Sequence, residues 1–316
     1  MKKFFVMILL TTVIIPAFAL KKSLAYLEAR KSGAIAKIQI HIIDDLNHGV
    51  PDAEVTVFMG MNFRPKGYYL KGVTNTNGIY VVEGKTCGDE IVIDVAKNGY
   101  YSSTKRLCFA KMGAENNVGH GRWLPFGKEE RITLRRIVSP VSLITFDKLI
   151  DVAPTNMWMG FDMGKMDFIR PFGVGTRSDF EIKTDWDGLP TWESKQCCAE
   201  IRFSDDNNGS YRVGNVTESK FPYSYVAIEG SSFDKKDIHI VDRNGDPHTT
   251  KVPFPRDVSF VTRTRCVVDE HGRIKMANYG CITRFDVGPS RRGVALVHLS
   301  YVFNPTPNDT NLEPKQ

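Results

Sequence analysis

The stretch from Gly49 to Tyr101 decides the fold, and three of its segments carry the pattern: GVPDAEVTVF at 49–58, GVTNTNGIYVVEG at 72–84 and DEIVIDVAKNGYY at 89–101. Ala53, Val55 and Val57 alternate with polar residues, which is the period expected of a half-buried strand. The Asn-Gly pairs at 77–78 and 98–99 tolerate positive φ and therefore predict turns. Short alternating strands joined by such turns are typical of a β-sandwich.

The same alternation continues on both sides of this stretch. Ile38, Ile40 and Ile42 alternate with polar residues before it, and Ile132 and Leu134 mark a last strand after it. About seven short strands thus fit into roughly one hundred residues, as in known sandwiches. We predict an N-terminal seven-stranded β-sandwich over residues 34–138.

Three motifs follow one another in this region: Gly49-Val50-Pro51-x-Ala53-x-Val55-x-Val57, Thr74-Asn75-Thr76-Asn77-Gly78-Ile79-Tyr80 and Gly99-Tyr100. Together they resemble the carboxypeptidase regulatory-like domain, a family with a prealbumin-like (transthyretin-like) sandwich. Asn75 stands where that family usually has an acidic residue. The resemblance covers about a third of the chain. It implies a prealbumin-like fold and an accessory module, and no zinc-peptidase region accompanies it.

The N-terminus has the features of an export signal. Lys2 and Lys3 precede an apolar run over residues 4–15, and Ala17-Phe18-Ala19 forms a small-residue cleavage pattern. We predict a signal peptide over residues 1–19, which places the protein outside the cytoplasm, periplasmic or secreted. The alternative is an uncleaved segment in contact with the membrane, because the 17 residues between Lys3 and Lys21 come close to the roughly 20 that a spanning helix needs. Residues 20–33 predict a short helix or linker.

Composition bounds the remaining possibilities. The chain has 316 residues, 42% of them hydrophobic, and a formal net charge of +6. This length favours two globular domains over one. Basic residues are interspersed with acidic ones, so the charge pattern predicts no nucleic-acid partner.

The region after Pro140 also has the pattern of strands separated by turn clusters. We predict a second β-sandwich or jelly-roll-like domain over residues 139–303. Residues 304–316 contain three prolines and no apolar periodicity, which predicts a disordered tail. The segment from Gly160 to Phe180 resembles a recurring segment of uncharacterised secreted bacterial proteins that carry a regulatory-like sandwich.

No motif for catalysis stands out in the chain. HExxH, GxSxG and Walker sequences are absent, and the seven histidines lack ligand or triad spacing. We therefore predict no catalytic residues and no cofactor. Aromatic faces stack on sugars and carboxylates bind hydroxyl groups, so the candidate ligand-binding residues are Asp185, Trp186, Asp187, Trp192 and the loop residue Trp123. The alternative is that these residues pack in the core or form turns.

The sequence also contains candidate residues for calcium binding and for disulfides. Weak calcium candidates are the oxygen-rich turns that contain Asp205, Asp206, Asp242, Asn244 and Asp246, although neither turn matches the twelve-residue calcium loop. Six cysteines in an exported protein allow disulfides, and proximity in sequence favours Cys87 with Cys108 and Cys266 with Cys281. Simple hairpin registers place neither pair directly opposite.

These observations predict an exported, non-enzymatic binding or structural protein of the cell envelope, with envelope proteins or glycans as partners. The alternative is a carbohydrate-binding or carbohydrate-active protein that uses Trp186, Trp192 and nearby acids. A third hypothesis is an enzyme with an unfamiliar site, which acids and histidines converging in one pocket would support.

Overall fold

The computed structural model describes residues 17–60, 67–88, 90–109, 117–152, 156–186, 197–228, 233–235, 237–242, 257–289 and 294–315. In this part of the chain, strands account for nearly all regular structure, and the predicted all-β fold class is confirmed. The chain divides into two compact units. Unit 1 comprises the residues up to Arg136 together with Glu218–Lys220, and unit 2 comprises Ile137–Thr217 and Phe221–Gln316.

Unit 1 contains one helix and eleven strands among its described residues. They are α1 (Ala17–Ser32), β1 (Ala34–Ile43), β2 (Glu54–Met59), β3 (Tyr68–Val73), β4 (Ile79–Thr86), β5 (Glu90–Ala96), β6 (Tyr100–Tyr101), β7 (Ser103–Cys108), β8 (Val118–Gly119), β9 (Arg122–Trp123), β10 (Lys128–Thr133) and β11 (Arg135–Arg136).

Two sheets form the sandwich of unit 1. One has the strand order β3-β2-β5-β7, and the other is built around β1, which pairs with β4, β9 and β10. The alternating isoleucines and valines of β1, β2 and β5 are buried in a single core cluster. The period-two pattern therefore identified the inward faces of these strands correctly.

The predicted turn at residues 75–78 joins β3 to β4. The Asn75 side chain accepts hydrogen bonds from the backbone N–H groups of Asn77 and Ile79, each at 3.0 Å. Gly78 has a φ of 75°, and a Cβ atom there would lie 2.3 Å from the Ile42 carbonyl oxygen. The close packing of this turn against β1 therefore requires glycine.

Helix α1 is attached to unit 1 by its second half. Ala29 is buried in the core cluster, and the Tyr26 ring meets Trp123 edge-on with 6.1 Å between ring centroids. The helix ends at Gly33, whose φ of 84° suits a residue without a side chain. Among the described residues no helix is long and apolar enough to cross a membrane. Residues 1–16 of the predicted signal peptide lie outside the described part.

Unit 2 contains ten strands among its described residues. They are β12 (Ile144–Val152), β13 (Met159–Asp162), β14 (Asp167–Phe168), β15 (Phe180–Trp186), β16 (Cys197–Arg202), β17 (Gly209–Gly214), β18 (Asp237–Asp242), β19 (Val258–Val268), β20 (Ile274–Pro289) and β21 (Ala295–Asn304).

Unit 2 is also sandwich-like. Its two sheets have the strand orders β12-β21-β20-β19-β17 and β14-β13-β15-β16-β18. Aromatic rings fill the core between them: Phe161 stacks on Phe180 at 5.5 Å, and Phe146 stacks on Tyr301 at 5.1 Å. Such ring pairs stabilise a core beyond the burial of their area.

The C-terminal segment differs from its prediction, because residues 305–315 are packed and hydrogen-bonded. Leu312 is fully buried, and its N–H donates to the Tyr225 carbonyl oxygen at 2.8 Å. The Glu313 carboxylate accepts from the backbone N–H groups of Val138 and Ser139. The prediction of a disordered tail over 304–316 is therefore wrong up to Lys315. The segment has no strand periodicity because single bridges, rather than a ladder, hold it.

The two candidate disulfides are not formed, since Cys87 and Cys281 are buried free cysteines. Cys281 lies opposite Val261, and Cys266 is five positions further along the strand, about 17 Å away at the usual rise per residue. A disulfide requires Cα atoms within about 7 Å. The Cys87 thiol faces the Lys31 carbonyl oxygen, whereas the Cys108 thiol faces the Glu90 carboxylate.

Candidate functional site

Trp123, one of the predicted ligand-binding residues, belongs to the core of unit 1. Its side chain is fully buried, stacks on Phe109 at 5.7 Å, and donates its indole N–H to the Thr86 carbonyl oxygen at 3.0 Å. A ring with both its apolar surface and its polar atom engaged offers nothing to a ligand. The loop assignment therefore missed a short strand that carries a core residue.

The other predicted binding residues lie on or next to β15. Asp185 is exposed, and Trp186 ends the strand opposite Cys197. The Trp186 side chain lies outside the described part, as do residues 187–196 with Asp187 and Trp192.

Asp185 continues a row of charged residues on the outer face of the β15–β16 pair. We call this the tryptophan face: Trp158, Glu181, Lys183, Asp185, Glu200 and Arg202. Positions 181, 183 and 185 share one side of β15, because strand residues two apart point the same way. In the ladder, Glu181 pairs with Arg202 and Lys183 with Glu200.

Two ion pairs cross between these strands. The Arg202 Nε atom lies 2.9 Å from Glu181 Oε2, and its Nη2 atom bonds the same oxygen. Lys183 Nζ lies 3.2 Å from Glu200 Oε2. The side chains of Lys183 and Glu181 are 21% and 22% exposed, so water screens these pairs less than fully exposed ones.

Trp158 completes the face. Its half-buried ring lies 4.1 Å from the Arg202 guanidinium carbon and 4.8 Å from Lys183 Nζ, measured to the ring centroid. Cation–π attraction within about 6 Å holds the ring next to the two cations. The result is an indole held by two cations that are themselves paired with two carboxylates, and Asp185 is exposed further along β15. Such a surface can bind a polar partner through stacking and hydrogen bonds without rearranging.

Sequence reasoning found only one end of this face. The segment EIKTDW at 181–186 alternates charged and uncharged residues, and so does AEIR at 199–202. Period-two charge would have indicated a charged outer face on two neighbouring strands. Trp158 gave no such signal, because it precedes β13 and reaches the cations only through the fold.

Some of the calcium candidates lie within the described part of the chain and others lie outside it. Asp205 forms an ordinary turn, accepting from the Asn207 N–H at 2.8 Å, and Asp206 beside it is exposed. The Asp242 side chain, Asn244 and Asp246 lie outside the described part. Among the residues described, no group of three or more His, Cys, Asp or Glu side chains is placed to hold a metal ion.

A buried ion triad organises the segment that begins at Gly160. Arg265 donates to Asp179 through Nε at 2.8 Å and Nη2 at 2.7 Å, and to Asp162 through Nη2 at 2.8 Å. Both carboxylates are almost fully buried. Arg265 sits at an irregularity of β19 with a φ of 56°. This left-handed conformation is strained for arginine, and the triad holds it in place.

The surrounding backbone satisfies the remaining lone pairs of Asp162. Burial alone would raise the pKa of Asp162, but hydrogen bonds from the backbone N–H groups of Thr176, Lys165 and Arg177, and the charge of Arg265, together hold it below its ordinary value. Every oxygen of the triad therefore has a partner within the protein. The arrangement closes the loop over residues 162–179 and serves stability rather than chemistry.

One acid and one histidine do converge on the outer face of β12 and β21. His298 Nε2 lies 2.6 Å from Asp147 Oδ1, and the Ser300 hydroxyl donates to the same oxygen. Both hydrogen bonds lower the pKa of Asp147, and the bond from Ser300 has the larger effect. In a nucleophilic triad the serine bonds the histidine, which the acid orients. Here the acid lies between the two, so this cluster does not activate Ser300.

Unit 1 has a polar groove of about 330 Å³ at the β7 side of its four-stranded sheet. Its lining includes Glu54, Thr56, Asp94, Thr104 and Lys220. The Thr104 hydroxyl donates to Asp94 at 2.6 Å, which removes one carboxylate oxygen from the groove. The remaining groups can hydrogen-bond a small polar molecule.

Comparison with known proteins gives only distant structural likenesses. No protein-family model and no curated protein sequence matches the chain. Among solved structures, 3-chlorocatechol 1,2-dioxygenase from Rhodococcus opacus 1CP is 15% identical with a TM-score of 0.27, covering 34% of this chain and 62% of that one. Catechol 1,2-dioxygenase from Acinetobacter radioresistens is 11% identical with a TM-score of 0.27, covering 35% and 55%. The chain thus spans less than two thirds of either enzyme, and likenesses this weak carry no argument about its activity.

Proposed function

We propose that this protein is an exported, non-enzymatic binding or structural module of the cell envelope, and that it contacts its partner through the tryptophan face. The observation that carries the proposal is the Trp158 ring in contact with both Arg202 and Lys183 on an otherwise polar sheet surface. Tryptophan and arginine are enriched among the residues that dominate binding energy at interfaces.

The order of this face favours binding for a second reason. A side chain that is already held in one conformation loses little entropy when a partner docks on it. The two cross-strand ion pairs and the ring fix one another on two neighbouring strands. Export is supported by the N-terminal basic and apolar residues and the Ala17-Phe18-Ala19 pattern.

The test is crosslinking pull-down with the mature protein from envelope fractions, comparing the wild type with Trp158→Ala. We expect the variant to lose most of the captured envelope component while its circular dichroism stays unchanged. Phe172→Ala is the matched control, because Phe172 is an exposed aromatic residue of the same unit, 42% exposed. Equal capture by the wild type and Trp158→Ala would remove the tryptophan face from the proposal.

A glycan is the second candidate partner. The observation that favours it is an indole ring beside carboxylate and guanidinium groups, the combination that stacks on a sugar and binds its hydroxyl groups. A glycan array tests it with the wild type, Trp158→Ala, Trp186→Ala and Trp192→Ala. An array that stays blank, or signals unchanged in all three variants, would exclude this partner class.

A further inference from the structure

The two edge strands of the four-stranded sheet of unit 1 differ in their hydrogen-bond pairing. At the β7 edge, Glu218–Lys220 adds a short extra strand: the Thr104 N–H donates to the Glu218 carbonyl oxygen at 2.8 Å, and the Lys220 N–H to that of Ser102 at 2.9 Å. At the other edge, β3 pairs with β2 alone within the described ranges of the chain. An uncapped edge presents unpaired backbone groups that can accept another strand.

The hydrogen bonds next to β3 show which backbone groups are unpaired. The Thr74 N–H donates to the Ala53 carbonyl oxygen in the neighbouring segment. Backbone groups alternate in direction along an antiparallel strand, so Leu70 and Gly72 bond toward β2. Tyr69, Lys71 and Val73 therefore direct their N–H and C=O groups away from the sheet.

The side chains of β3 do not block this edge. Tyr69 is 61% exposed and Val73 58% exposed, and the strand contains no proline and a single charge, Lys71. Natural proteins protect exposed edges with prolines, bulges or several charges. Tyr68, Tyr69 and Val73 of β3 instead belong to the aromatic and β-branched types that favour strands.

We propose that β3 pairs antiparallel with β3 of a second copy of this chain, with the two-fold axis at Leu70. In this register, Tyr69 lies opposite Lys71 of the other copy, and Lys71 lies opposite its Tyr69. Each of these two pairs exchanges two backbone hydrogen bonds and adds a cation–π contact. Tyr68 lies opposite Gly72, against which the Tyr80 ring of the same copy packs. The strand is thus complementary to itself, and that favours a second copy over an unrelated strand.

The first test measures the mass of the mature protein by analytical ultracentrifugation over a concentration series. We expect a reversible dimer. Lys71→Pro removes one outward N–H per copy and leaves the bonds to β2 intact, since proline is tolerated on an edge where its nitrogen faces solvent. In this variant the dissociation constant of the dimer should rise at least tenfold. A monomer at every concentration, or a dimer unaffected by Lys71→Pro, would overturn the proposal.

A matched pair of substitutions separates pairing from folding. Tyr69→Lys and Tyr69→Glu both remove the ring that contacts Phe58 at 5.1 Å, so any loss of stability is shared. Tyr69→Lys places two ammonium groups opposite each other and should weaken the dimer, whereas Tyr69→Glu should retain it. If the two variants dissociate equally, this register is wrong.

Crosslinking tests the position of the two-fold axis directly. A residue on the axis faces its own copy, so Leu70→Cys should give a disulfide-linked dimer beyond the background of the native cysteines. Lys71→Cys faces residue 69 instead and should not. Crosslinking of Lys71→Cys but not of Leu70→Cys would refute this register. Crosslinking of neither variant would refute pairing at the β3 edge.

Discussion

Replacing Arg265 by methionine tests the reasoning about the buried triad most directly. The substitution keeps an unbranched apolar chain against the Phe303 ring, to which the guanidinium carbon lies at 4.8 Å. It removes three hydrogen bonds to Asp162 and Asp179, whose side chains are 2% and 0% exposed. Two carboxylates would then remain buried without a cation.

The expected loss follows from this geometry. Removing one partner of a buried ion pair costs about 3–5 kcal/mol. Because the Arg265 side chain is 21% exposed, we expect the lower end, about 3 kcal/mol. For a unit of this size that lowers the melting temperature by about 6–12 °C. Calorimetry, which can resolve the transition of unit 2, measures it.

The pH dependence gives the same substitution a second readout. In the wild type the pKa of Asp162 is lowered in the folded state, so its contribution is present above about pH 4 and is lost as pH falls through the folded pKa. In Arg265→Met the protonated carboxyl is the more easily buried form. The difference in free energy of unfolding between wild type and variant should therefore shrink in acid.

The control is Arg273→Met. Arg273 pairs with Asp269 at 2.9 Å, but its side chain is 75% exposed, and such surface pairs contribute about 0–1 kcal/mol. If Arg265→Met costs no more than Arg273→Met, or if its deficit does not diminish in acid, the triad does not stabilise unit 2 as argued.

Three further substitutions test individual packing arguments. Thr262→Val removes a buried hydroxyl that has no hydrogen-bond partner; we expect a gain of about 1 kcal/mol in urea denaturation, and a loss would show that the hydroxyl is satisfied. Trp123→Ala empties a fully buried site and should lower the free energy of unfolding by about 3–5 kcal/mol. A decrease below about 1 kcal/mol would show that Trp123 is not a core residue. Gly78→Ala places a Cβ atom against the Ile42 carbonyl oxygen at positive φ, so the melting temperature of unit 1 should fall, whereas Gly99→Ala, with nothing near its Cβ, should cost less.

The parts of the fold that repeat locally could be predicted from the sequence. The alternation of Ile38, Ile40 and Ile42 and the turn at 75–78 depend on residues close in the chain, and both are present as predicted. The pairing of distant segments could not be predicted in this way. Trp123 becomes a core residue only because α1 and Phe109 pack against it.

The residues of the candidate site also divide into those that the local sequence indicates and those that only the fold brings together. Asp185 was found because carboxylates near tryptophans suggest ligand binding, whereas Trp158 contributes through contacts with two strands that follow it in sequence. The strand register that joins Glu181 to Arg202 is set by folding and has no local signature. Likewise, Leu312 has no periodic neighbours, so its burial follows only from the partners that surround it.

The pairing of residues 305–315 with the start of unit 2 bears on how this unit is made. Glu313 holds the backbone of Val138 and Ser139 across 175 and 174 positions of the chain. Contacts of such long sequence separation form late and slowly. The core and the backbone hydrogen bonds of unit 2 are therefore completed only when Leu312 and Glu313 join residues from the beginning of the unit.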